Sequence, residues 1–234
     1  MRIEPLGDSA LIVRVVDEFA RDPEALNAVL AALRALEAAA IPGVIELAPA
    51  YTTVAVFFDP ARAPDEIPQP PFDWLRSRIE KVLKNRPAVQ KSKTKSDPIE
   101  VPVCYEGEFA PDLAEVARRA GLSEDEVVRR HSSASYRVNC VGFTPGFPFL
   151  SGLPSELATP RRTTPRKEIP AGAVGIGGAQ TGIYPRKSPG GWNLIGRTPL
   201  RLFDVQRNPP ALFHAGDHVR LRKISREEFD ALSR

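Results

Sequence analysis

The alternation of apolar and polar positions divides the amino-terminal part of this chain into strands and helices. Over residues 23–40, leucine and valine recur at the three-and-four spacing of one apolar helix face. Over 53–58, Val54, Val56 and Phe58 alternate with positions on the other side of a strand. Further elements are predicted as strands at 3–16 and 44–48 and a helix at 72–83. The order β-α-β-β-α predicts a small α/β sandwich, with helices on one face of a mixed sheet.

The pattern changes after a lysine-, serine- and proline-rich segment at 86–97, which is typical of a linker. The elements predicted beyond it are strands at 99–105, 200–203 and 219–224, and helices at 112–119, 124–131 and 225–232. Ser123 and Glu126 form the sequence signature of a helix-capping box. Short strands with closely spaced turns indicate a closed β-barrel. We therefore predict an α+β fold with an α/β domain at 1–85, a basic linker at 86–97 and a barrel domain at 98–234.

Glycine and proline recur every few residues over 139–199, so this stretch forms turns and brief strands rather than long helices. Arg161, Arg162 and Arg166 lie there among prolines, which hold the backbone in fixed directions. Guanidinium groups mounted in this way suit a carboxylate or phosphate. We predict an anion-binding cleft in which Arg162 is catalytic. Its substrate-binding residues are predicted to be Arg161, Arg166, Gln180, Tyr184 and Asn193.

His131 comes at the end of the helix predicted over 124–131, just before this stretch. One interpretation is a histidine that complements the helix dipole. The other is a titratable catalytic group at the rim of the cleft. Position along the sequence favours neither interpretation over the other.

Several familiar sites are missing from the sequence. The segment Gly175-Ile176-Gly177-Gly178 lacks the Lys-Ser/Thr ending of a P-loop and the spacing of a dinucleotide fingerprint. Its glycines fit a barrel bend and the close approach of a ligand equally well. No G-x-S-x-G nucleophile motif occurs. His214 and His218 flank a Gly-Asp turn rather than lying on a metal-binding helix, and we predict no metal site.

Composition narrows the class of protein further. The hydrophobic share of 42% and the charged share of 26% are those of a globular protein, and the net charge of +3 is too small to favour nucleic acid. No apolar run is long enough to cross a membrane, and the first residues do not form a signal peptide. Cys104 and Cys140 lie far apart, which favours two buried thiols in a reducing compartment. We therefore expect a cytoplasmic protein.

Four segments of the chain resemble the allophanate hydrolase subunit 1 family. They are GFTPGFPFLSGLP, PRRTTPR, IPAGAVGIGGAQTGIYP and SPGGWNLIGRTPLRLFD. The resemblance extends over nearly the whole chain, from the opening GDSALIVRV to the turn at 215–217. It implies a small amino-terminal α/β domain and a cyclophilin-like carboxy-terminal barrel.

The resemblance also implies a function. The family includes the B subunit of prokaryotic ATP-dependent 5-oxoprolinase, which would act with the C subunit, of the allophanate hydrolase subunit 2 family, and with a third hydrolase subunit. The complex would convert 5-oxoproline to glutamate, with ATP and magnesium bound only in the assembly, and this chain would be inactive alone. Two alternatives remain open at this point. The first is an inhibitor of a histidine kinase, and the second is a component of urea or allophanate breakdown.

Overall fold

The structure is a computed structural model. It describes residues 1–17, 23–62, 70–85 and 97–233, and the chain divides into two compact units at 1–95 and 96–234. Most of the linker predicted at 86–97 lies outside the described residues. The linker and the domain bounds at 1–85 and 98–234 therefore stay predictions.

The first unit is built from four strands and two α-helices among its described residues. In chain order they are β1 (Arg2–Pro5), β2 (Ala10–Arg14), α1 (Pro23–Ala39), β3 (Val44–Ala50), β4 (Thr53–Phe58) and α2 (Pro71–Lys84). The strands form one sheet in the order β1-β2-β4-β3. Both helices lie close to their predicted bounds, because their apolar spacing is regular.

Two predictions for this unit are wrong in detail. The single strand expected over 3–16 is a hairpin, since Gly7 turns the chain with a positive φ of 66° between β1 and β2. The sheet expected to be mixed is antiparallel at all three strand pairs that the described residues form. Short connections join β1 to β2 and β3 to β4, and such connections favour antiparallel pairing because parallel pairs need long crossovers.

One face of this sheet packs against both helices. Val54 and Val56 of β4 are fully buried and share a hydrophobic core with Val29 of α1 and Ile79 of α2. Phe57, on the opposite side of β4, is 37% exposed. The predicted alternation of side chains between the two sides of the strand at 53–58 is therefore confirmed.

The second unit contains nine strands and three α-helices among its described residues. The first half comprises β5 (Ile99–Cys104), α3 (Leu113–Ala120), α4 (Glu124–Ser133), β6 (Ser135–Val141) and β7 (Pro148–Ser151). The second half comprises β8 (Arg166–Ile169), β9 (Ala173–Gly177), β10 (Gln180–Ile183), β11 (Ser188–Gly190), β12 (Asn193–Arg197), β13 (His218–Ile224) and α5 (Arg226–Leu232).

Seven of these strands close into a barrel in the order β10-β7-β6-β13-β5-β12-β9, with β9 pairing back to β10. Strands β8 and β11 form a separate two-stranded ribbon. Within the barrel β13 runs parallel to β5, and its other neighbour β6 is antiparallel to it. The predicted fold class, α+β with a carboxy-terminal barrel, is confirmed.

In this unit, a helix start was predicted correctly from the sequence, whereas one strand was not. Ser123 caps α4 as predicted, since its Oγ accepts a hydrogen bond from the backbone N–H of Glu126 at 3.2 Å. Gly121 ends α3 with a left-handed φ of 66°. The strand predicted over 200–203 is wrong. That segment is irregular apart from one bridge between Phe203 and Ala211, because neighbouring prolines prevent a continuous ladder.

The barrel interior and the buried sides of α3 and α4 form one hydrophobic core. Val101, Val174 and Ile195 are fully buried in it. Cys104 and Cys140 are buried thiols that form no disulfide, as predicted. Among the described residues, no helix combines the length and the apolar character needed to cross a membrane.

Candidate functional site

The strands that carry the glycine-rich stretch present different side chains to the two faces of the barrel wall. In β9, Val174 and Ile176 point into the barrel core. Successive strand residues alternate in direction, so Ala173, Gly175 and Gly177 lie on the outer face. A second cluster of buried apolar residues covers this outer face. Its members are Phe147, Ile169, Ala173, Tyr184, Trp192 and Leu194.

Glycine allows the aromatic rings of this cluster to lie directly on the backbone. A Cβ at Gly177 would lie 2.5 Å from the ring of Trp192, and one at Gly190 would lie 2.4 Å from the hydroxyl of Tyr184. Real Cβ atoms do not approach so closely. The Gly175–Gly178 segment therefore has a packing explanation, and the space beside Gly177 is occupied by Trp192.

The rings surround a small cavity, which we call the aromatic cavity. Its volume is about 120 Å³. It is lined by Phe143, Phe147, Phe149, Arg161, Tyr184, Gly190, Gly191 and Trp192. Phe147 makes edge-to-face contacts with Tyr184 and Trp192, at centroid distances of 5.1 and 5.5 Å. Two of the predicted site residues, Arg161 and Tyr184, thus line one cavity.

Arg161 brings a positive charge to this apolar cavity. Its guanidinium carbon lies 5.9 Å from the centroid of the Trp192 ring, within the range of a cation–π interaction. Burial raises the pKa of the Tyr184 hydroxyl above its usual value. A hydrogen bond from the Trp192 backbone and the charges of Arg161 and Arg166 act in the opposite direction. Tyr184 is therefore a neutral phenol at physiological pH.

Hydrogen bonds fix the segment that carries the arginines against the barrel. The backbone N–H of Arg162 donates to the carbonyl of Gly191 at 2.7 Å. The side-chain amide of Asn193 donates to the carbonyls of Pro160 and Ile176, at 2.9 and 3.2 Å. Asn193 was predicted to bind substrate, and the structure places its buried amide in this structural cross-link.

Arg162 and Arg166 both contact Asp112, a residue that the sequence did not single out. Their guanidinium groups donate to its Oδ1 atom at 3.0 and 2.8 Å. The other carboxylate oxygen accepts the backbone N–H of Leu194 at 2.7 Å. Asp112 is 5% exposed, and a buried carboxylate needs such partners. The catalytic role of Arg162 and the binding role of Arg166 stay predictions.

The signal that could have found Asp112 was weak. It precedes α3, where an acidic residue is read as a helix cap, but its side chain makes no capping hydrogen bond. Its partners lie 50 and 54 residues further along the chain. Sequence spacing alone cannot join positions so far apart.

A larger cavity of about 340 Å³ is lined in part by Arg166. Its lining comprises Glu108, Phe109, Pro111, Arg166, Glu168, Pro170, Ala173, Leu194 and Arg197. Gln180 lines neither this cavity nor the aromatic cavity. It lies at the start of β10, four residues before Tyr184, and at about 3.3 Å per residue the two backbones are ~13 Å apart.

His131 lies in the protein interior, so the interpretation that places it at the rim of the cleft is wrong. It is fully buried, with Nδ1 2.9 Å from the Tyr105 hydroxyl and Nε2 3.0 Å from Thr181 Oγ1. Burial lowers its pKa to about 3, so the imidazole is neutral. Val127 and Val128 lie four and three residues before His131 and are also buried, so all three share one face of α4. This spacing could have predicted from the sequence that His131 is buried. Its catalytic role stays a prediction.

The comparisons with known proteins agree with this architecture. The family model described as carboxyltransferase domain, subdomain C and D, matches residues 1–213. The chain belongs to this carboxyltransferase-domain family.

Two relatives match the chain closely in sequence. The 5-oxoprolinase B subunit of Bacillus subtilis is 44% identical over 98% of this chain and 95% of its own length. The protein of the same name from Escherichia coli O157:H7 is 58% identical over 52% of this chain and 56% of its own length.

Several solved structures share the fold. PH0987 from Pyrococcus horikoshii is 39% identical, with a TM-score of 0.57, over 97% of this chain and all of its own. TTHA0988 is 38% identical, with a TM-score of 0.76, but this chain spans only 40% of it. The urea amidolyase of Kluyveromyces lactis, at 21% identity and a TM-score of 0.75, shows the fold alone.

The glycine-rich segment of this carboxyltransferase domain does not fit a nucleotide phosphate. A phosphate loop presents free backbone N–H groups. Here the N–H of Gly178 donates to the Thr159 carbonyl at 2.7 Å, and Trp192 covers Gly177. Within the described residues, this segment offers no cradle for ATP.

Proposed function

We propose that this chain is the B subunit of an ATP-dependent 5-oxoprolinase. The observation that carries the proposal is the 44% identity to the B. subtilis protein over 98% of this chain and 95% of that protein. A match along both chains supports a shared role, because it includes every strand of the barrel rather than one common domain. The chain would act with a C subunit and a third hydrolase subunit.

The chemistry of the reaction explains why several subunits would be needed. Hydrolysis of 5-oxoproline to glutamate breaks a stable lactam amide, and ATP supplies the phosphoryl group that activates it. Because the glycine-rich segment of this chain does not fit a phosphate, we assign nucleotide and magnesium binding to the assembled complex. This chain would contribute positive charge from the segment around Arg161 to hold negative groups.

Reconstitution tests the proposal. The chain is purified alone and after co-expression with the two partner subunits of the same organism, and glutamate formed from 5-oxoproline is measured with and without ATP. We expect no glutamate from the chain alone and ATP-dependent glutamate from the complex. A complex that assembles and hydrolyses ATP but leaves 5-oxoproline intact would overturn the proposal.

The same assay addresses a second candidate function. The putative urea carboxylase of Emericella nidulans is 27% identical over 68% of this chain, although the chain spans only 14% of that protein. A parallel reaction is therefore run with urea as the substrate instead of 5-oxoproline. ATP hydrolysis that responds to urea and not to 5-oxoproline would favour a role in urea breakdown.

A further inference from the structure

We propose that the aromatic cavity is the binding site for the substrate of this protein, a five-membered lactam that carries a carboxylate. Arg161 would bind the carboxylate, and the ring would lie against Trp192 and Phe147. This inference rests on the proposed function, and it names residues that carry substrate recognition. Three features of the cavity support it: the balance of charge around it, the rigidity of its walls and the arrangement of its polar groups.

The charge balance around the cavity favours an anion. Arg161 forms no ion pair with a carboxylate among the described residues. Arg162 and Arg166 share the single carboxylate of Asp112. The nearby Glu168 is engaged by Lys187 at 2.6 Å. The segment therefore carries excess positive charge, and Arg161 is the member whose guanidinium faces the rings.

The walls of the cavity are fixed before any ligand binds. Edge-to-face contacts hold Phe147 against Tyr184 and Trp192. Close approach to Gly177 fixes the position of Trp192, and close approach to Gly190 fixes the position of Tyr184. A preformed cavity costs little ordering entropy on binding, so even a small ligand can be held.

The polar groups suit a compact ring with an anionic substituent. The aromatic rings offer apolar faces to the methylene groups of the lactam, and Arg161 offers paired N–H donors to a carboxylate. The Tyr184 hydroxyl, which lines the cavity as a neutral phenol, has a proton that it can donate. A neutral lactam without a carboxylate would lose the contact with Arg161.

A fluorescence titration tests the site without the partner proteins. The chain has two tryptophans, so a Trp74→Phe background leaves Trp192 as the only indole. Titration with 5-oxoproline should give a saturable change in its emission. 2-Pyrrolidinone, the same ring without the carboxylate, should bind at least ~10-fold more weakly, as expected for loss of a charge-assisted contact.

Variants of Arg161 identify the anchoring group. Arg161→Gln should weaken 5-oxoproline binding at least ~10-fold and leave 2-pyrrolidinone binding unchanged. Arg161→Lys should fall between, because lysine keeps the charge and loses the planar fork. Arg186→Gln, at an exposed position outside the cavity lining, is the matched control and should bind like the parent.

The reconstituted complex provides the second readout. There Arg161→Gln should raise the KM for 5-oxoproline at least ~10-fold without changing the KM for ATP. The site is refuted if 5-oxoproline does not change the emission of Trp192 and Arg161→Gln also leaves the KM of the complex for 5-oxoproline unchanged. Turnover by that same complex would still uphold the proposed function. A complex that never turns over 5-oxoproline would instead refute the function on which this site depends.

Discussion

Because the imidazole of His131 is buried, we predict that the barrel unit loses stability as the pH falls below neutral. Burial lowers the pKa of His131 to about 3 from an ordinary value of 6.5. The unfolded chain therefore binds a proton near pH 6.5, whereas the folded chain stays neutral down to about pH 3. Stability is greatest above pH 6.5 and decreases as the pH falls through that value.

The size of the effect follows from the two pKa values. Between pH 7 and pH 5.5, protonation of the unfolded state alone should lower the free energy of unfolding by about 1.3 kcal/mol, at 1.36 kcal/mol per pKa unit. His131→Gln removes the titrating group and keeps a side chain able to hydrogen-bond to Tyr105 or Thr181.

Urea unfolding at the two pH values measures the difference. Trp192 emission in the Trp74→Phe background reports on the barrel unit. Between pH 7 and pH 5.5, the free energy of unfolding should decrease by about 1.3 kcal/mol more in the parent than in His131→Gln. His218→Gln, at an exposed position, should behave like the parent. Equal losses in the parent and in His131→Gln would refute the claim that the folded protein keeps this imidazole neutral.

Two further predictions concern the residues that shape the site. Asp112→Asn should lower the free energy of unfolding by about 1–3 kcal/mol, because two guanidinium groups lose a shared carboxylate, whereas the exposed Glu168→Gln should change it little; urea unfolding measures both. Gly177→Ala should cost about 1–3 kcal/mol and shift the emission of Trp192, because the new methyl collides with the indole. Gly142→Ala, where the nearest atom is 3.9 Å away, is its control, and equal melting temperatures for the two variants would contradict the packing argument.

Regular periodicity made much of the fold predictable. Helix α1 and strand β4 were predicted closely because every third or fourth, or every second, side chain had to face one core. The opening hairpin was missed because the turn residues Pro5, Gly7 and Asp8 were included in one long strand instead of being taken as its end. The strand predicted over 200–203 failed because apolar character was read without its flanking prolines.

The site was predictable in composition but not in arrangement. The sequence identified the arginines and Tyr184, since polar residues stand out in a glycine–proline framework. It could not assign Arg162 and Arg166 to Asp112, because that contact spans at least 50 residues of chain. Nor did it place His131, whose ionisable side chain suggested a surface position, although its partners Tyr105 and Thr181 hold it inside.

The parallel pairing of β13 with β5 has a consequence for how the protein is made. Strand β5 is the first barrel strand to leave the ribosome, and its partner β13 is the last. Until Ile224 has been synthesised, β5 and β6 each lack a neighbour, and the barrel presents unpaired strand edges. Closing it requires contacts across more than a hundred residues, which slows folding. We therefore expect nascent chains that stop before His218 to need chaperone protection, and barrel closure to follow completion of the chain.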